Sequence, residues 1–271
     1  MSTDTTAHSV TDAITERASG AAISTPSEAP RATLPAIATG RRSARQLRAL
    51  AEAGAAESGE ASATQVIAWV EANFDVRTAA VACSMADAVL PHLVSQALPS
   101  VDVLFLDTGY HFLETRITRD EVARQLDVTV IDVLPEQTVD EQDAAHGAEL
   151  FARDPARCCA LRKVAPLKKA LAGYEIWFTG VRRDEAPTRT NTPLIQWDDK
   201  HGLVKVNPLA AWSFDELLDY AGEHGVPLNL LLRDGYPSIG CQPCTRRVAP
   251  GEDPRSGRWA GLAKTECGIH L

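Results

Sequence analysis

Val101–Gly109, VDVLFLDTG, is the stretch that decides the fold. A short β-rich run closes on the polar turn Asp107-Thr108-Gly109 and gives way to a helical pattern over Phe112–Leu126. Val128–Val133 is the next apolar run. Upstream, Arg77–Ala82 (RTAAVA) has the same character and precedes an apolar helix over Asp87–Ala97. Downstream, a helix ends at Ala172, Glu175–Thr179 (EIWFT) reads as a fourth strand and Leu203–Val206 as a fifth. Short continuous apolar runs alternating with helices of about 10–15 residues belong to a parallel sheet covered on both faces. The expected class is α/β: an open, mostly parallel twisted sheet with helices on both faces. Such sheets bind ligands beyond the C-terminal ends of their strands. Here those ends are Cys83–Asp87, Asp107–Gly109 and Gly180–Asp184.

Outside this core the composition changes. Residues 1–60 are rich in Ala, Ser, Thr, Gly and Glu and hold no Phe, Trp or Tyr. So little apolar surface does not offset the entropy of ordering. The segment reads as a disordered low-complexity extension with one helix near Ala44–Glu57. Order is expected from Ala61, with Ser62 capping a helix over Gln65–Asn73. Residues 61–248 form the expected α/β domain. A helix over Phe214–Glu223 precedes a Gly/Pro/Arg-rich stretch, read as a loop-rich C-terminal flap whose last part, 249–271, is a mobile tail.

Charge and cysteine usage limit the function. The 271-residue chain carries a net charge of −9, which disfavours broad nucleic-acid binding. The charge is uneven: residues 1–150 hold 10 basic and 22 acidic side chains, residues 151–271 hold 17 and 14. A local concentration of cations in an acidic protein suits a small anionic ligand. No run of about 18 apolar residues offers a membrane span, and the N-terminus has no secretory pattern. A cytoplasmic location follows as an expectation, with six cysteines serving as metal or catalytic thiols rather than as disulfides.

Cys158-Cys159 and Cys241-Gln242-Pro243-Cys244 supply two pairs of thiols, the number that a tetrahedral zinc or a [4Fe–4S] cluster takes. Adjacent cysteines converge poorly on one zinc, whereas a cubane accepts them at separate irons. The spacing favours the cluster and leaves zinc, or four unmetallated thiols, as alternatives. Cys267, close to the C-terminus, has no cysteine neighbour. It is either an incidental tail thiol or a nucleophile activated by nearby cations.

Together, Cys158-Cys159-Ala160-Leu161-Arg162-Lys163, Gly240-Cys241-Gln242-Pro243-Cys244-Thr245 and Glu266-Cys267-Gly268-Ile269-His270 resemble the iron–sulfur adenosine 5′-phosphosulfate reductases of assimilatory sulfate reduction. The resemblance runs from about Val81 to the C-terminus. It includes Leu106-Asp107-Thr108-Gly109, Thr179-Gly180-Val181-Arg182-Arg183-Asp184 and Gly257-Arg258-Trp259. It implies an adenine nucleotide alpha-hydrolase-like sheet and a [4Fe–4S] cluster on Cys158, Cys159, Cys241 and Cys244. The implied reaction is reduction of adenosine 5′-phosphosulfate to sulfite and AMP, with thioredoxin as donor and an S-sulfocysteine on Cys267. Family members without a cluster generally take the 3′-phosphorylated nucleotide, so the paired cysteines favour the unphosphorylated substrate. One departure is the loop Cys83-Ser84-Met85-Ala86-Asp87, which lacks the family's usual glycines.

Thiolate attack on a phosphosulfate gathers negative charge. Each like-charge pair at about 4 Å costs about 4 kcal/mol at an effective dielectric of 20, so fixed cations are required. By their motif positions, Lys163, Arg189, Arg255 and Arg258 are expected to bind substrate, with Ser84, Asp107 and Thr108 beside them. Arg182 and Arg183 could instead form an internal ion-pair network with Asp184, and Asp107-Thr108-Gly109 an ordinary capping loop. Rival functions are a 3′-phosphoadenosine 5′-phosphosulfate reductase and an ATP-pyrophosphatase-type adenylating enzyme on the same sheet. The sequence leaves the oligomeric state open, a homo-oligomer among the alternatives.

Overall fold

A computed structural model describes residues 40–262 and 264–270. The part of the expected N-terminal extension that covers residues 1–39 lies outside the described residues. The first two helices start by capping chemistry. Ser43 with Gln46 opens α1 (Ala44–Ser58), and Ser62 with Gln65 opens α2 (Ala63–Asn73). In each pair the side chain and the backbone cap one another reciprocally. Residues 40–60 are therefore not a disordered extension. Leu47 and Ala51 of α1 are 1% exposed and pack in the main core, and Arg42 clamps the buried Glu175 at 2.7 Å.

The chain continues through β1 (Ala79–Ala82), α3 (Val89–Ala97), β2 (Val101–Leu106), α4 (Leu113–Gln125) and β3 (Val128–Val133). Three helices, α5 (Val139–His146), α6 (Leu150–Arg153) and α7 (Pro155–Cys159), lead into a π-turn at Ala160–Val164 and α8 (Ala165–Leu171). Then come β4 (Ile176–Thr179), β5 (Ile195–Asp198), β6 (Leu203–Val206) and α9 (Phe214–His224). Among the described residues, six strands form one sheet in the order β3-β2-β1-β4-β6-β5, parallel except for β5 against β6. The mostly parallel α/β expectation is met. The β5–β6 hairpin was not foreseen in the sequence. Its turn is built by Asp198, whose carboxylate accepts the Lys200 and His201 N–H groups, and by Gly202 at φ +69°.

Strand side chains alternate between two cores, as a period of two demands. Ala79, Val81, Ile176, Phe178 and Val204 face the larger core beneath α1, α2, α3 and α9. Ala80, Leu104, Trp177 and Leu203 face the smaller one, where α8 packs over β2 and β3. The C-terminal segment also packs on that second face. Ile269 packs into the smaller core, and His270 stacks on Trp177 at 5.9 Å. The region expected as a flap is loop-rich; after residue 249 Trp259 and Glu266 are buried, while residues 251–254 and 260–262 are exposed. The chain winds outward in one direction from β1 through β2 to β3, and in the other from β4. The switch point therefore lies between β1 and β4, where a crevice opens beyond the strand ends.

Candidate functional site

A cavity of about 230 Å³ occupies that switch point. Its floor is the loop after β1, where Asp87 caps α3 by accepting the Val89 N–H at 3.0 Å. Burial pushes the Asp87 carboxyl up, against that hydrogen bond and the Arg182 charge. Ser84 lines the cavity. The loop holds its shape without glycine because Met85 itself takes the left-handed conformation at φ 58°, wholly buried. Asn229 braces it by donating to the Met85 carbonyl at 3.1 Å.

The cations arrive from three segments. Lys163 lies in the π-turn directly after Cys159, and Arg189 ends a short 3-10 turn after β4. Arg255 and Arg258 come from the C-terminal flap. That flap is held by backbone pairing: Arg246 donates to the Gly257 carbonyl, and Trp259 to the Cys244 carbonyl. At Gly240 the Arg258 guanidinium occupies the space that a Cβ would take. Lys163, Arg189, Arg255, Arg258 and Cys267 all line the one cavity. Burial and the Arg258 charge work against the Lys163 ammonium, but the negative charge that Cys241, Cys267 and Cys159 carry as thiolates outweighs them and raises its pKa. The ammonium thus lies within electrostatic reach of both cysteine pairs' hollow and of Cys267.

Arg189 is fully engaged by carboxylates. Its Nε and Nη2 donate to Glu266 at 2.9 and 2.8 Å, and Nη1 pairs with Glu185. Arg255 Nη2 reaches the same Glu266 at 3.2 Å. Burial opposes the Glu266 charge, yet the Arg189 hydrogen bonds and the Arg189 and Arg255 charges hold its carboxyl below the usual range.

Cys158, Cys159, Cys241 and Cys244 border a second, smaller hollow behind Lys163. Cys158 and Cys159 end α7, while a 3-10 turn at Gln242–Cys244 folds the other pair to one side, with Cys244 N–H donating to the Cys241 carbonyl at 3.0 Å. All are free thiols. Burial first, and then the neighbouring thiols, push Cys158 up to about 12 and Cys244 up to about 11. Among the described residues, no group of three His, Cys, Asp or Glu side chains is placed to hold a single metal ion.

Two expected substrate contacts stand differently. Asp107 does not line the cavity; its carboxylate accepts the Gly109 N–H at 3.0 Å and closes a local turn ahead of α4, whose N-cap is Phe112. Thr108 lines the cavity, but its hydroxyl lies 3.2 Å from Cys241 Sγ. Arg182 forms the internal network, 3.1 Å from Asp184. The sequence reading assigned no role to His111, Glu266 or Arg162. His111 lines the cavity with its Nδ1 unpartnered. Arg162, buried between Cys159 and Lys163, donates to the Thr108 carbonyl and to Gln142. Its place inside the cysteine motif was the available signal.

The family model for the phosphoadenosine phosphosulfate reductase domain matches residues 78–247. The chain belongs to the phosphoadenosine phosphosulfate reductase family. Within that family it is 58% identical over 233 residues to the adenosine 5′-phosphosulfate reductase of Rhodococcus opacus, covering 83% of this chain and 94% of the relative. It is 56% identical over 226 residues to that of Mycolicibacterium smegmatis, covering 83% and 95%. Its fold is similar to the crystal structure of phosphoadenylyl-sulfate reductase from Candida auris, with a TM-score of 0.62 at 28% identity, covering 71% of this chain and 94% of the other. Members of the reductase family thus share the sheet, and the match includes both cysteine pairs but ends before Cys267.

Proposed function

We propose that the chain is an oxidoreductase of sulfate assimilation that reduces adenosine 5′-phosphosulfate to sulfite and AMP, with thioredoxin as donor. The observation that carries this reading is the convergence of Cys267 with Lys163, Arg189, Arg255 and Arg258 on one switch-point cavity. The names of the relatives at 52–58% identity support the unphosphorylated nucleotide as substrate, as do the paired cysteines.

The Cys267 thiolate attacks the sulfonyl sulfur, the S–O bond to the phosphate breaks, and AMP leaves with the electron pair. The cations offset the charge gathered in that step, arginine as a planar fork and Lys163 as a compact charge. A thioredoxin thiolate then attacks Cys267 Sγ, sulfite departs with the electron pair, and thioredoxin's second thiol resolves the mixed disulfide to restore Cys267. Opening of the C-terminal segment would expose the S-sulfocysteine to thioredoxin.

Cys158, Cys159, Cys241 and Cys244 would hold a [4Fe–4S] cluster. The donor set fits: four free, buried or half-buried thiols border one hollow. When bound, the cluster would supply a fixed charge beside Lys163 and a cross-link between α7 and the Gln242–Cys244 turn. None of the electrons in the proposed steps passes through it.

Cys267→Ser is expected to abolish sulfite release while AMP binding persists. Substrate without thioredoxin should add about 80 Da (SO3) to Cys267 in the wild-type chain, read by mass spectrometry. Sulfite production by the serine variant would refute the scheme. Turnover on the two nucleotides, with and without the 3′-phosphate, checks the choice of substrate.

A further inference from the structure

Glu266 immediately precedes the proposed nucleophile and is buried at 8% exposure. Its carboxylate takes donors from Arg189 Nε and Nη2, Arg255 Nη2 and Thr188 Oγ1, the last at 3.2 Å. A planar arginine fork gripping two oxygens is the geometry by which arginine holds phosphate and sulfate. The site's own carboxylate therefore occupies the donors that an incoming phosphosulfate needs. With Glu185 on Nη1 as well, the charge of Arg189 is cancelled before any ligand arrives. Left in place, Glu266 would also add one more negative charge to a step already crowded with them.

We propose that Glu266 is a positioning residue and an internal stand-in for the substrate anion. The nucleotide's anion displaces its carboxylate from Arg189 and Arg255, and the exchange releases the segment that carries Cys267. Binding and presentation of the nucleophile are coupled because the two residues are joined by one peptide bond. Residues further along remain anchored independently, with Ile269 in the smaller core and His270 on Trp177, so the exchange moves Cys267 without undocking the C-terminus. The idea rests on the anion-site reading of the cavity, and the test separates the two.

The cluster-loaded full chain is compared as wild type, Glu266→Gln and Glu266→Asp, with iron content and circular dichroism confirming the fold. AMP affinity is measured by calorimetry, and iodoacetamide labelling of Cys267 is measured without ligand. Removing the competing charge should tighten AMP binding about tenfold and speed Cys267 labelling about tenfold in Glu266→Gln. The aspartate variant keeps the charge but reaches the fork poorly, and should lie between the other two. A carboxylate that merely orients the arginines gives the opposite sign, weaker AMP binding in Glu266→Gln, and that result overturns the proposal. Tighter AMP binding with unchanged labelling also overturns it, because the carboxylate would then compete without holding the segment. Faster labelling in a protein that binds no nucleotide in either form would retain the latch and refute the nucleotide site.

Discussion

Asn229 shows how much of the site depends on one buried amide. Its Nδ2 donates to the Met85 carbonyl and to Thr115 Oγ1, and its Oδ1 accepts the Leu231 N–H. These bonds hold a buried, non-glycine residue at positive φ in the loop that carries Ser84, a conformation that costs about 1–3 kcal/mol unless its surroundings impose it. Asn229→Ala leaves those groups unpaired and is expected to cost about 1–3 kcal/mol in urea unfolding. It should also raise the nucleotide KM more than it lowers kcat, because the loop lines the proposed nucleotide cavity and carries none of the proposed reacting atoms. Unchanged stability and KM would show that the loop holds Met85 without the brace. The missing glycines of this loop are plain in the sequence, but their replacement by Met85 with Asn229 is not, since the partners lie 144 positions apart.

At the scale of elements, α1 and the C-terminal segment both belong to the fold, although composition argued otherwise for the first. Leu47 is 1% exposed, so Leu47→Ala should cost about 2–4 kcal/mol, the range for a buried leucine cavity. A disordered α1 would make the substitution silent in denaturant melts. The C-terminal segment carries a pH dependence. Burial, then the charges of Lys205, Arg189 and Arg255, hold His270 well below its ordinary pKa of 6.5. Below about pH 6.5 the undocked histidine takes up a proton that the docked one refuses, so docking is strongest above that value and weakens as pH falls. Cys267 labelling, corrected for thiolate fraction, should therefore accelerate between about pH 7.5 and pH 5.5, and the acceleration should vanish in His270→Phe. A flat corrected profile in the wild type would contradict the half-buried, neutral histidine.

For the molecule as a whole, the two cysteine pairs lie on parts of the chain that the sheet alone does not connect, α7 and the Gln242–Cys244 turn. The proposed cluster would close the long loop between α7 and the Gln242–Cys244 turn, and ligation that exists only in the folded state is folding free energy. Cys241→Ser is thus expected to lose iron and to melt at a lower temperature than the loaded wild type, read by iron assay and calorimetry. Full iron content in that variant would remove Cys241 from the ligand set. The sequence by itself determined the alternation of strands and helices, the position of the crevice, the thiol pairs and the cations. These are carried by local periodicity, by caps such as Ser62 with Gln65, and by residue type. The tertiary structure alone decided that α1 joins the core, that β5 returns as an antiparallel edge, and that Glu266 sits on Arg189. The physical reason is range: a cap or a period of two is satisfied within a few residues, whereas the Arg189–Glu266 pair closes across 77 positions. Such a pair exists only once the sheet has brought the switch-point loops and the C-terminus together.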